Sequence, residues 1–181
     1  MRHGKVALES KRKITSGEFS EWIKTYNKAS IFRDTLADSG IMAIINGTDA
    51  VVCSSLRRSV DSVGLAGRKP LETNRLFDEA GLPFLRSSFP RLTPNSWAVI
   101  FRLLWLIGYS NNSESLDEAK KRAMTAASRL DEMTREHGTV LLMGHGVMNR
   151  LIAKAIRKRG WVNTKKLQNS HWGYGVFEKK G

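Results

Sequence analysis

A single cysteine, Cys53, stands among 181 residues, so no disulfide framework can form within the chain. A chain of this length without such staples relies on its hydrophobic core, and a reducing cytoplasm is the setting it suits. The same scarcity removes paired-cysteine zinc sites, and no two of the four histidines stand at helical ligand spacing. No metal and no cofactor is therefore expected. Acidic residues are few, with 17 Asp and Glu against 30 Lys and Arg. Long apolar runs are also missing. The longest, residues 97–109, is interrupted by Arg102 and falls short of the roughly 20 residues that span a bilayer. It reads as a buried helix, and no membrane span is expected. No apolar stretch follows Met1-Arg2-His3-Gly4-Lys5, so a secretory leader is not expected either.

What is present is ordinary in bulk, 41% hydrophobic and 26% charged, and it indicates one soluble domain over residues 1–181. The net charge of +13 favours anionic partners, phosphorylated substrates above all. Nucleic acid remains open but is not favoured, because no interleaving of aromatic and basic residues stands out. An unspecific basic surface accounts for the charge equally well.

Hydrophobic spacing predicts a helix over residues 20–26, with Trp22, Ile23 and Tyr26 on one face. Ala50-Val51-Val52-Cys53 reads as a short buried strand that runs into a helix over residues 56–65. Residues 83–94 hold three of the four prolines and read as a loop or cap. Ser115 and Glu118 form a capping box that opens a helix to about His137, closed by Gly138. Residues 139–143 are an apolar strand, followed by a helix over residues 147–158. Residues 172–177 alternate as an edge strand does. Strands followed by helices predict an α/β fold, a three-layer α/β/α sandwich around a mostly parallel sheet. In such sheets the ligand crevice lies beyond the carboxyl ends of the strands.

Two strand-to-helix junctions end in residues suited to phosphate: Ser54-Ser55-Leu56-Arg57-Arg58 and Gly144-His145-Gly146. Each sets polar groups at a helix N-terminus, where free amides and the dipole favour an anion. Arg2-His3-Gly4 has the same character. Imidazoles and guanidiniums converging on one crevice suit phosphoryl transfer, since imidazole is a nucleophile near neutral pH and guanidinium pairs with phosphate oxygens. A cysteine phosphatase needs an arginine six positions beyond its cysteine, and from Cys53 that position is Ser59. A Gly-rich P-loop is absent as well. His137 reads as a helix-end residue, and His171, beside Trp172 and Tyr174, as packing or surface.

Arg2-His3-Gly4, then Ser54-x-Leu56-x-Arg58, then residues 76–83 (Leu-Phe-Asp-Glu-Ala-Gly-Leu-Pro), Glu114-Ser115 with Arg122, and Gly144-His145-Gly146, in that order, resemble the histidine phosphatase (phosphoglycerate mutase-like) superfamily. The resemblance spans nearly the whole chain. It implies a metal-independent phosphatase, acting on a phosphomonoester or phosphohistidine, in which His3 becomes phosphorylated. It also implies that Arg2, Arg58 and His145 surround the phosphoryl oxygens and that Glu79 carries protons, with Asp78 the alternative. Arg58 suits the family spacing from Ser54 better than Arg57 does.

The family's Arg-His-Gly motif ends a strand, whereas only Met1 precedes it here, so the domain is expected to lack the first strand before Arg2. Lys5-Val6-Ala7-Leu8-Glu9 departs from the mutase pattern, which favours a phosphatase. Arg86 and Arg91 in the proline-rich segment are candidate substrate contacts. The rival expectation is a basic polyanion-binding protein on a degenerate phosphatase fold.

Overall fold

Every side chain of Ala50–Ser54 is buried, and such a strand belongs inside a sheet covered on both faces. The computed structural model, which describes residues 1–8, 11–33 and 39–179, puts it there. This strand, β1, pairs in parallel with β2 (Glu72–Asn74) on one side and β3 (Val140–Met143) on the other. Period-two alternation then sends neighbouring residues to opposite faces. Val51, Cys53, Leu141 and Met143 pack with Ile45, Val63 and Ala66. These last belong to α2 (Ser39–Asn46), α3 (Arg57–Leu65) and the residue that closes α3. Val52, Val140 and Leu142 join Ala123, Leu130, Met148 and Ile152 on the other face. Those come from α5 (Leu116–His137) and α6 (Gly146–Arg157). The result is the expected α/β/α arrangement around a parallel sheet. α1 (Ser16–Lys28) and α4 (Pro94–Leu106) share a separate cluster of Ile14, Phe19, Trp97 and Phe101.

The differences from expectation have local causes. α1 begins four residues earlier than its apolar face suggests, because Thr15 and Glu18 form a capping box. α2 and β2 have too little periodic signal to be read from sequence. α4 starts at Pro94, where a missing N–H costs nothing, and Thr93 caps it. It is a buried helix on one side only: Val99, Leu103, Leu106 and Ile107 are exposed. The predicted edge strand at residues 172–177 is displaced. Residues 172–175 form a turn and irregular chain, and β5 (Val176–Lys179) pairs antiparallel with β4 (Trp161–Lys165), which the sequence reading missed.

Asp131 of α5, buried, ties this second sheet to that helix. It accepts from Trp161 Nε1 at 2.9 Å and pairs with Lys179 at 2.9 Å, Arg159 at 3.2 Å and Arg135. Between β3 and β5 lies a cleft of about 670 Å³, lined by Val140, Leu142, Ile152, Trp161, Val176 and Phe177 among others. Met1 closes one end of it.

Candidate active site

The parallel ladder does not stop at Met143. Met1 donates its amino N–H to Leu142 O at 2.7 Å, Gly144 N donates to Met1 O at 2.9 Å, and His3 N to Gly144 O at 3.1 Å. Met1 to His3 thus continue the sheet beside the carboxyl end of β3. On the far side Arg2 N bonds Gly173 O at 2.9 Å and Trp172 N bonds Arg2 O at 3.0 Å. Gly144 is required by close approach, since a Cβ there would stand 2.3 Å from Asn149 Oδ1. That oxygen accepts from His145 N at 3.1 Å, while the Asn149 amide donates to Met1 O at 2.9 Å. Asn149 therefore locks the two histidine-bearing segments together.

His3 and His145 meet with ring centres 5.0 Å apart, and Arg58 lies between them. His3 Nδ1 sits 2.7 Å from Gly4 O, and a carbonyl only accepts, so Nδ1 carries the proton and Nε2 the lone pair. Arg58 Nε donates to that Nε2 at 3.2 Å and to His145 Nδ1 at 3.3 Å. His145 Nε2 in turn donates to Ser54 Oγ at 2.6 Å, with Ser59 Oγ at 3.3 Å. Arg58 is itself held by Asn27 Oδ1 at 3.0 Å and by the Tyr26 ring, 4.9 Å from its guanidinium carbon. Burial, and then the Arg58 charge, hold both imidazoles neutral well below the ordinary histidine range.

Arg2 completes the cationic wall. Its guanidinium packs against Gly146 at the start of α6 and donates to Asn169 O. Its Nε is buried with no hydrogen-bond partner among the described residues. A buried donor left over beside a helix N-terminus and two imidazoles is suited to an anion. Glu79 lies at the same N-terminus, accepting from Val147 N at 3.2 Å and Met148 N at 2.9 Å. Asp78 is turned elsewhere, onto Ser55 N at 2.8 Å and Ser55 Oγ. Arg122 braces this acidic segment by donating to Leu76 O at 3.0 Å and Asp78 O at 2.8 Å while pairing with Glu114.

Of the residues singled out from sequence, Arg2, His3, Arg58 and His145 come together, and Glu79 stands at the helix that begins with Gly146. Arg86 and Arg91 are not brought to them. Arg91 pairs with Glu18 of α1 at 3.2 Å. Arg86 lines a separate cleft of about 950 Å³ between α1 and residues 81–88, which has no histidine in its wall. Sequence reasoning missed Asn27 and Tyr26, and it read His171 as packing or surface without placing it beside His3. That ring packs 5.5 Å from His3, with Nδ1 3.2 Å from His3 O. No spacing rule signals it, because a turn of the sheet edge delivers it.

A family model for the histidine phosphatase superfamily (branch 1) matches residues 1–178. The chain belongs to that superfamily. A search of the curated proteins finds no significant match. Three solved structures share the histidine phosphatase fold. A functionally characterised open reading frame of Mycobacterium tuberculosis is 23% identical, with TM-score 0.54, over 83% of this chain and 74% of its own. A mycobacterial glucosyl-3-phosphoglycerate phosphatase is 18% identical, with TM-score 0.54, over 87% and 77%. A protein described as mycobacterial hydrolase 1 is 15% identical, with TM-score 0.58, over 98% and 94%. Among the described residues of this histidine phosphatase domain no cluster of His, Cys, Asp or Glu could hold a metal, and no helix is long and apolar enough to cross a membrane.

Proposed function

We propose that the protein is a metal-independent phosphatase that hydrolyses a phosphomonoester or phosphohistidine through a phosphorylated His3. Superfamily membership and a fold shared with phosphatases support the reaction class. One observation carries the mechanism: the His3 Nε2 lone pair faces a cage of Arg58, His145 and the unpartnered Arg2 Nε. His3 Nε2 attacks phosphorus, and the two guanidiniums and the α6 N-terminus hold the oxygens as charge moves. Neutral imidazole is the form that attacks, and burial keeps His3 in it. Glu79 is the proton donor to the leaving oxygen. The anionic substrate is drawn in by the +13 charge, and Arg86 and Arg91 contact only a substrate large enough to reach past α1. Hydrolysis of an aryl phosphate in EDTA tests the reading. The His3→Ala variant is expected to lose turnover, and an unchanged rate would end the proposal.

The cleft between β3 and β5 is walled by two strands and by apolar side chains. The Met1 amine is buried, its pKa lowered to about 5 by that burial, and it bonds Leu142 O.

A further inference from the structure

We infer that the exposed face of α6 is a docking surface for an acidic polypeptide, the part of the substrate that carries the phosphoryl group to His3. This rests on the phosphatase reading above and names its substrate class. No Asp or Glu stands between Glu136 and Glu178, a stretch that holds seven Lys and Arg. Of these, Arg150, Lys154, Arg157 and Lys158 are exposed on α6 and its closing residue. Their spacing of four, seven and eight residues from the first sets them on one face. Arg150 and Arg157 turn Nε only onto carbonyls of their own helix, Gly146 O at 3.1 Å and Ala153 O at 3.2 Å. Among the described residues none of the four pairs with a carboxylate.

Other helices balance their surface cations. Lys24 pairs with Glu21 in α1 at 2.7 Å, Arg57 with Asp61 in α3 at 3.4 Å, and Lys120 with Asp117 in α5 at 2.9 Å. A merely basic surface would show the same mixing on α6. Like charges four residues apart oppose a helix. The dipole offsets this for cations in the last turn, but not for Arg150, one turn from the N-terminus.

The stripe begins at the phosphoryl site. Arg150 bonds Gly146 O, the Arg2 guanidinium packs against the same Gly146, and Glu79 accepts from Val147 and Met148. Along the axis from Gly146, the helical rise places Arg150, Lys154 and Lys158 about 6, 12 and 18 Å away. The last two lie beyond a small ester whose phosphorus is at His3. An extended chain advances about 6.6 Å every second residue, so carboxylates two, four and six positions from the phosphorylated residue meet the three cations. Sites for single-stranded nucleic acid interleave aromatic rings with cations, and residues 150–158 hold no aromatic residue. A membrane surface calls for apolar side chains beside the cations, whereas Leu151, Ile152 and Ile156 turn into the core.

Phosphotyrosine peptides test the inference, with Glu at the second, fourth and sixth positions before or after the tyrosine, against the same peptides carrying Gln. In one of the two orders the Glu peptide is expected to show kcat/KM about tenfold higher, through KM. The preference should shrink toward parity in about 0.5 M salt. The Lys154→Gln/Lys158→Gln double variant should lose it while hydrolysing a plain aryl phosphate at the parent rate. Equal turnover of Glu and Gln peptides in both orders, or a preference that survives the double variant, would overturn the inference and leave the phosphatase reading standing. Inhibition of peptide turnover by oligothymidylate at lower concentration than by the unphosphorylated Glu peptide would also overturn it, marking the stripe as a nucleic-acid surface. Failure of the parent protein to hydrolyse the plain aryl phosphate would instead overturn the phosphatase reading itself.

Discussion

Arg58 Nε reaches two imidazole lone pairs at once, and much of the site's behaviour follows from that one contact. The planar fork bonds His3, His145 and Asn27 together, which a lysine ammonium on a flexible stem cannot reproduce. Arg58→Lys is therefore expected to lower kcat/KM by roughly 100-fold or more, with a smaller change in melting temperature. The same guanidinium, added to burial, shapes the pH profile. His3 must be neutral to attack, and its folded-state pKa lies well below 6.5. The acid limb of kcat/KM that belongs to His3 should then fall below pH 6.5, and a limb at or above that value would contradict the assignment. Residue identities at this scale were legible where a short motif carried them, as in Arg2-His3-Gly4 and Gly144-His145-Gly146. His171 was not legible. Its placement beside His3 depends on a left-handed Trp172 and a close glycine, neither of which leaves a periodic trace.

Elements position these residues by caps and clamps more than by strands. β1 ends at Ser54, whose hydroxyl accepts from Leu56 N at 3.0 Å and from His145, so one side chain both shapes the turn and orients an imidazole. Arg122 of α5 and Arg102 of α4 hold the segment that carries Glu79, Arg102 donating to Ala80 O at 2.7 Å. Arg122→Leu is expected to lower kcat by about tenfold while most stability is kept, as steady-state kinetics beside thermal melts would register. Asp131→Asn should do the reverse. It leaves three partly exposed cations without their carboxylate and should cost about 2 kcal/mol in denaturant titration, after discounting for solvent screening, with little change in kcat. The Asp131 carboxyl is held well below the usual range by Lys179 first, then by Trp161 and Arg159. Its contribution is full above the unfolded value near 4 and is lost as pH falls through the folded one. α5, opened by the Ser115/Glu118 capping box, was readable from sequence, whereas the box that starts α1 was overlooked. β2 and β4 were not, being three and five residues long and largely polar.

At the scale of the whole molecule, the net charge of +13 acts on encounter, not on the fold. KM for a dianionic phosphate should rise with ionic strength while kcat holds steady. The sheet carries the second global feature. Three parallel strands, then Met1 to His3, leave a strand-lined cleft beside β5. The buried Met1 amine binds fewer protons folded than unfolded, its value falling from 8.0 to about 5. Stability from this group is full above pH 8 and declines as pH falls toward 5. Residues added ahead of Met1 would replace the amine by an amide. A four-residue extension is expected to flatten that decline; an unaltered slope would argue against burial of the Met1 amine. The overall α/β/α order was readable because buried strands alternate with capped helices, while the split between two sheets depends on contacts that no local pattern encodes. The most direct test of the account is to quench the reaction with a labelled phosphomonoester and map the phosphoryl group. An acid-labile, alkali-stable label on His3, absent in His3→Ala and retained when His145 is replaced, is the predicted result. Label on His145, on a serine or on no residue during turnover would contradict it.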